Sequence, residues 1–181
     1  MIDENNSGFP QANVAAIEDY GIIGDCRAAA LVSRSGSIDW LCWPRFDKSS
    51  IFAALLDRDR GGHWSITPVV LDRIERQYLP DSNVLQTRFS SSTGTAVLTD
   101  LMPVASELFR QPMLLPDHEI IRRVECTSGE VQIDIAFVPR SEYGLKPVQI
   151  REAGELGLRM EVGRGVYWLR AGVPLRLRDG G

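Results

Sequence analysis

Apolar and polar residues alternate one for one through much of the chain. Val131, Ile133, Ile135 and Phe137 interleave with Gln132, Asp134 and Ala136; Leu156, Leu158, Met160 and Val162 interleave with Glu155, Gly157, Arg159 and Glu161. Val173, Leu175 and Leu177 do the same with Pro174, Arg176 and Arg178. A period of two places one row of side chains on a core face and the other in water, so each run predicts a half-buried strand. Turn residues punctuate the rest. Ser35-Gly36 between Ala28–Ser33 and Ile38–Trp43 predicts a tight hairpin. Pro80-Asp81-Ser82-Asn83 separates Asp72–Leu79 from Val84–Ser90, and Ser92-Thr93-Gly94-Thr95 precedes Ala96–Met102. Ser128-Gly129-Glu130 joins Glu119–Thr127 to Val131–Pro139. Strands at such regular spacing with short turns predict an antiparallel β-sandwich, an all-β fold.

One segment reads differently. In Ser50–Asp57, Ile51, Ala54 and Leu55 would share a helical face and Ser49 or Ser50 could cap it, so a single short helix is expected there. The first fifteen residues, polar and containing Gly8 and Pro10, read as a loose leader (1–15) ahead of one β-sandwich domain (16–181). Residues 103–118, with Pro103, Pro112 and Pro116, form the only long loop expected. Trp40 and Trp43 lie three apart on a predicted strand and so should face opposite sides of the sheet.

The chain has 181 residues, enough for one real core, and a net charge of -4 with both signs interspersed. That balance predicts no nucleic-acid partner, and no apolar run approaches the roughly 20 residues of a membrane span. Met1-Ile2-Asp3-Glu4-Asn5-Asn6 has neither a basic nor an apolar region, so no secretory signal is expected. Asn5-Asn6-Ser7 is then a chance sequon. Three scattered cysteines, Cys26, Cys42 and Cys126, suit a reducing compartment, and the cytoplasm is the expected location.

Familiar chemistry is mostly missing. There is no phosphate loop, no GxGxxG after a strand and no GxSxG elbow. His63 and His118, the only histidines, lack a second ligand at metal spacing, so no metal and no cofactor is expected. Arg45, Arg58 and Arg60 could bind an anion but read more simply as a solvated turn. Glu18, Asp19, Asp25, Asp39 and Asp47 cluster early, and glycoside hydrolysis uses paired carboxylates. In a sandwich such acids more often serve turns and strand ends.

The densest stretch runs from Ile17 to Leu56. It contains Asp-Tyr-Gly-Ile-Ile-Gly-Asp-Cys at 19–26, Gly-Ser-Ile-Asp-Trp-Leu-Cys-Trp-Pro-Arg-Phe-Asp at 36–47 and Ser-Ile-Phe-Ala-Ala-Leu-Leu at 50–56. These blocks closely resemble the start of the bacterial and archaeal family 15 glycoside hydrolases, the glucoamylase-like and trehalase-like enzymes. The likeness continues more thinly through Gly62-His63-Trp64, Tyr78-Leu79-Pro80, Thr99–Pro103 and Phe137–Gly144.

The resemblance implies a β-sandwich N-terminal domain, incomplete at its C-terminal end here, that packs against a helical barrel in cis. In the family that barrel carries the catalytic glutamates and most of the sugar pocket. No residue of this chain matches the acid or base motifs, so no catalytic residue is assigned and the chain alone is expected to be inactive. The partners implied are the catalytic barrel domain and, through it, α-glucosides. Trp40, Trp43, Pro44, Arg45, Phe46 and Asp47 are the candidates for the surface that meets the barrel or borders the sugar pocket. Pro44 ends a strand abruptly, and arginine beside an aromatic is a pairing enriched in interface cores. The competing reading joins Arg45 to Asp47 and buries Phe46 in the sandwich. A free-standing carbohydrate-binding module is the alternative, with Trp40, Trp43, Trp64 or Trp168 as a stacking platform.

Overall fold

A computed structural model describes residues 15–104, 118–163 and 165–177. The leader with its sequon and most of the 103–118 loop lie outside the described residues.

The first sheet begins with a hairpin. Strands β1 (Gly21–Gly24) and β2 (Ala29–Val32) pair antiparallel, and β2 pairs in turn with β3 (Ser37–Cys42). The Ser35-Gly36 turn is as expected. Gly36 sits at φ 89°, where a Cβ would also strike the Ile66 carbonyl oxygen at 2.6 Å, so glycine is required there. The far edge of β3 is shared end to end by β4 (Ser50–Phe52) and β5 (His63–Pro68), and β10 (Ile133–Val138) lies beyond β5.

The second sheet is a plain meander of β6 (Arg73–Tyr78), β7 (Leu85–Ser90), β8 (Gly94–Leu101) and β9 (Ile121–Gly129). The Ser128-Gly129-Glu130 turn therefore carries the chain from one sheet to the other rather than closing a hairpin. After a short ladder of β11 (Arg140–Ser141) and β12 (Lys146–Pro147), a third sheet forms from β13 (Gln149–Glu152), β14 (Leu158–Val162) and β15 (Gly165–Leu169).

The inner faces interlock as alternation demands. Ile23, Val32, Ile38 and Leu41 from the first sheet meet Leu85 and Met102 from the second, and Met160, Val162 and Leu169 from the third join the same cluster. Ile66, Phe89 and Leu98 form a smaller cluster between the first two sheets, flanked by Ile74 and Ile133. The architecture is an all-β antiparallel sandwich.

Two local expectations fail. Ser50–Asp57 is not a helix: Ser50–Phe52 is strand β4, and a turn follows it. Ile51, Phe52, Ala53 and Ala54 are all buried, which no single helix face could achieve. The turn is locked because Ala53 and Ala54 donate their N–H groups to the carbonyls of Gly61 and Gly62 at 2.8 and 3.1 Å. A Cβ on Gly61 would lie 2.2 Å from the backbone of Ala53, so only glycine permits this closure. An apolar run of this length does not by itself distinguish a buried strand from a helix.

Val173–Leu177 is not a strand either. Pro174 has no N–H to offer a ladder, and Leu175 alone of the row packs on the core.

Candidate functional site

Loops from both sheets converge at one end of the sandwich. The β3–β4 connection, 43–49, reaches the β1–β2 connection, where the Phe46 N–H donates to the Arg27 carbonyl at 3.0 Å. Asn83, from the β6–β7 turn, donates its amide to the Gly24 carbonyl. Residues 118–120, leading into β9, bring His118 edge-on to Trp43 with ring centroids 5.7 Å apart. The imidazole Nδ1 lies 3.5 Å from an Asp25 carboxylate oxygen, long for a hydrogen bond.

Asp25 is what shapes the β1–β2 loop. Its carboxylate accepts the N–H groups of Arg27 at 2.9 Å and Ala28 at 2.7 Å. Burial pushes this carboxyl up, but the two N–H donors and the nearby imidazole outweigh it and hold it below the ordinary range.

The expected site residues separate into anchors and presented groups. Trp43 is buried in the main core, and Pro44 follows it through a cis peptide bond. Trp40 is half-buried on the opposite face of the sheet, 5.9 Å from the ring of Tyr143, so the two tryptophans do diverge. The ladder is bulged just before them: Leu31 pairs with Trp40 and Val32 with Ile38, leaving Asp39 as the extra residue of β3.

Arg45, Phe46 and Asp47 form the exposed tip of the loop. Arg45 Nε meets Asp47 Oδ1 at 3.1 Å, and Lys48 approaches the other carboxylate oxygen at 3.4 Å. Arg45 beside it holds the Asp47 carboxyl below the usual range. The Arg45–Asp47 bridge expected on the internal reading is present. Phe46, however, is 61% exposed rather than in the core. At the loop tip the exposed apolar side chain is Phe46, while Trp43 lies in the core.

The early carboxylates do not share a setting. Asp25 is tied into its own loop, Asp47 pairs with Arg45 and Lys48, and Asp39 accepts Tyr20 Oη at 2.8 Å and Ser37 Oγ at 2.5 Å. Arg58 lines a groove beside Asp39, whereas Arg45 belongs to the other loop. The tryptophans form no common platform: Trp43 is core, Trp64 packs against Phe137 and Arg122, and Trp168 is half-exposed on β15. Among the described residues no group of three His, Cys, Asp or Glu could hold a metal, and no helix is long and apolar enough to cross a membrane. The three cysteines are free.

Sequence reasoning gave neither His118 nor Tyr143 a place beside a tryptophan. Each reaches its tryptophan from a distant part of the chain, and no local pattern carries such a signal.

Comparison with known proteins gives a consistent picture. A family model described as trehalase-like, N-terminal, matches residues 9–179. The chain is 35% identical to a trehalase of Mycolicibacterium smegmatis, over 70% of this chain and 20% of that protein. It is 33% identical to a trehalase of Mycobacterium tuberculosis, again over 70% and 20%. Trehalase 1 of Sulfolobus acidocaldarius is 36% identical over 87% of this chain and 26% of its own length. The chain therefore spans only a fifth to a quarter of the length of these relatives. No solved structure matches it.

Proposed function

Because the chain belongs to the trehalase-like N-terminal family, we propose that it is the non-catalytic N-terminal domain of an α-glucoside hydrolase. In this reading residues 16–181 form the sandwich domain, 1–15 a leader, and the sandwich packs against and supports a helical-barrel domain that carries the catalytic glutamates. The observation that carries the reading is the 43–49 loop. It presents Phe46, 61% exposed, between two charged side chains, on a backbone pinned to Arg27 and rooted in the core by Trp43.

An aromatic held out on a rigid base loses little side-chain freedom on docking and buries a large area, which is the character of an interface anchor. Among the described residues the sandwich is also open at one edge, where β9 and β10 end their sheets. Val124 and Ile135, on rows that face the core, are 37% and 41% exposed on β9 and β10. Such a face suits coverage by more polypeptide. The scattered settings of Asp25, Asp39 and Asp47 favour a supporting role over an independent catalyst.

The test supplies, in trans, the part of the Mycolicibacterium smegmatis trehalase beyond the matched region. Binding of the parent chain is compared with that of Phe46→Ser and Arg45→Ala. Binding weakened at least about tenfold, roughly 1.4 kcal/mol, by Phe46→Ser with unchanged thermal stability supports the reading. Undiminished binding by both variants removes this loop from the interface.

A further inference from the structure

A second feature lies on the outer face of the first sheet, away from Phe46. Asp39 lies two residues beyond Ser37 on β3, so alternation places its carboxylate on the same outer face, beside β5. There it borders a groove of about 220 Å³ whose lining includes Ser37, Asp39, Arg58, His63, Ser65 and Thr67. His63, Ser65 and Thr67 are alternate residues of β5 and so share this face, and Ser37 is the direct cross-strand partner of Ser65. Their neighbours Trp64 and Ile66 point the other way, into the core.

The chemistry of the lining is specific. Asp39 is oriented by two O–H donors, Tyr20 Oη on one oxygen and Ser37 Oγ on the other. Each carboxylate oxygen keeps a further lone pair for an incoming donor. Burial, then the hydrogen bond to Asp39, pushes the Tyr20 hydroxyl up, so it stays protonated as a donor. Burial lowers His63, against the opposing pull of Asp39 and with Arg58 and Arg140 adding to the fall. At neutral pH the imidazole is then uncharged and offers one donor and one acceptor. The serine and threonine hydroxyls offer both as well.

Charge selects the ligand class. An anion drawn by Arg58 would meet the Asp39 carboxylate, and a cation drawn by Asp39 would meet Arg58. A neutral molecule dense in hydroxyls meets neither conflict and can use every group in the groove. The volume is below the roughly 300–1,000 Å³ of pockets for drug-sized ligands, so it suits one small ring rather than a chain.

We propose that this groove binds a single neutral polyhydroxyl ring, a monosaccharide or comparable polyol, with Asp39 accepting ligand hydroxyls and His63, Ser65 and Thr67 completing the hydrogen bonds. Among the described residues no tryptophan, tyrosine or phenylalanine lines the groove, so binding is weak. The site stands apart from the Phe46 loop, and neither proposal depends on the other.

The experiment titrates the full chain with glucose, with myo-inositol and separately with inorganic phosphate. Backbone amide chemical shifts are followed by nuclear magnetic resonance. The expected result is saturable movement of the amides of Ser37, Asp39 and residues 63–67 with glucose or myo-inositol. Asp39→Asn should weaken it at least tenfold, and Ser65→Tyr, which fills the groove from an outward position, should abolish it. Amides of the core strands should stay in place in both variants. Should Asp39→Asn disturb the fold, Ser65→Tyr and Thr67→Val decide by the same readout. Saturation by phosphate but not by the polyols would overturn the proposal. So would the absence of saturable shifts, or polyol binding that survives Ser65→Tyr.

Discussion

Replacing Arg122 by methionine should unfold much of what holds the two main sheets together. Arg122 on β9 faces Asp100 on β8, and both side chains are wholly buried. The guanidinium donates to both carboxylate oxygens, Nε to Oδ1 at 2.8 Å and Nη2 to Oδ2 at 3.3 Å. It also crosses the sandwich. Nη2 donates to the Gly36 carbonyl at 2.7 Å, Nη1 donates to the Trp64 carbonyl, and the group stacks 5.1 Å from the Trp64 ring centre. One side chain thus ties the second sheet to β5 and to the β2–β3 turn of the first.

Removing one member of a buried pair leaves the other charge unpaired and costs about 3–5 kcal/mol. For a chain of this size that lowers the melting temperature by about 6–20 °C, at roughly 2–4 °C per kcal/mol. The loss should depend on pH. Burial already pushes the Asp100 carboxyl above its ordinary value of 3.8, and Arg122 pulls it only part of the way back. Without Arg122 the folded state of the variant holds that proton more tightly than the unfolded state does. The variant's stability therefore falls as pH rises from 3.8 through the raised folded pKa, by up to about 1.4 kcal/mol per pH unit.

Urea denaturation followed by tryptophan fluorescence, at pH 5 and pH 7, measures both effects. The deficit should be smaller at pH 5. Adding Asp100→Leu to Arg122→Met should restore most of the stability, because an apolar pair replaces an ionic one. A single variant within about 1 kcal/mol of the parent at pH 7, or a deficit equal at both pH values, would refute this account of the pair.

Two further outcomes follow from buried groups. Thr87 Oγ1 on β7 is buried without a hydrogen-bond partner among the described residues, so Thr87→Val should raise stability by about 1 kcal/mol in thermal denaturation, and a loss would show the hydroxyl is satisfied. Asp25→Asn should destabilise by about 1–2 kcal/mol at pH 7, as charge-assisted bonds to Arg27 and Ala28 weaken. The native Asp25 carboxyl lies below 3.8, so its contribution is present above that pH and lost as pH falls through the folded value; urea titrations in which the parent–variant gap stays constant on acidification would contradict this.

Alternation and turn chemistry by themselves determined most strands of this protein. The runs ending at Tyr78, Ser90, Leu101, Val138 and Val162, and the hairpin at Ser35-Gly36, are local facts: period two states which side chains share a face, and glycine states where the chain can reverse. The block at 36–47 also carried the family, because a long specific string survives without any knowledge of its contacts. Local pattern does not name the partner of a face, and that is where the tertiary structure decided. Ser50–Phe52 became strand because β3 had an open edge and Gly61 let the following turn close, against a helix-compatible run. Val173–Leu177 stayed out of a sheet despite its alternation, with Pro174 unable to donate. Arg122 and Asp100 look like solvent-facing charges until two sheets close over them. Asp39 gained its groove only when β3 paired with β5, which sets Ser37 opposite Ser65 and brings His63 to the same face. Each of these depends on pairing between distant segments, whose geometry is set by the packed whole.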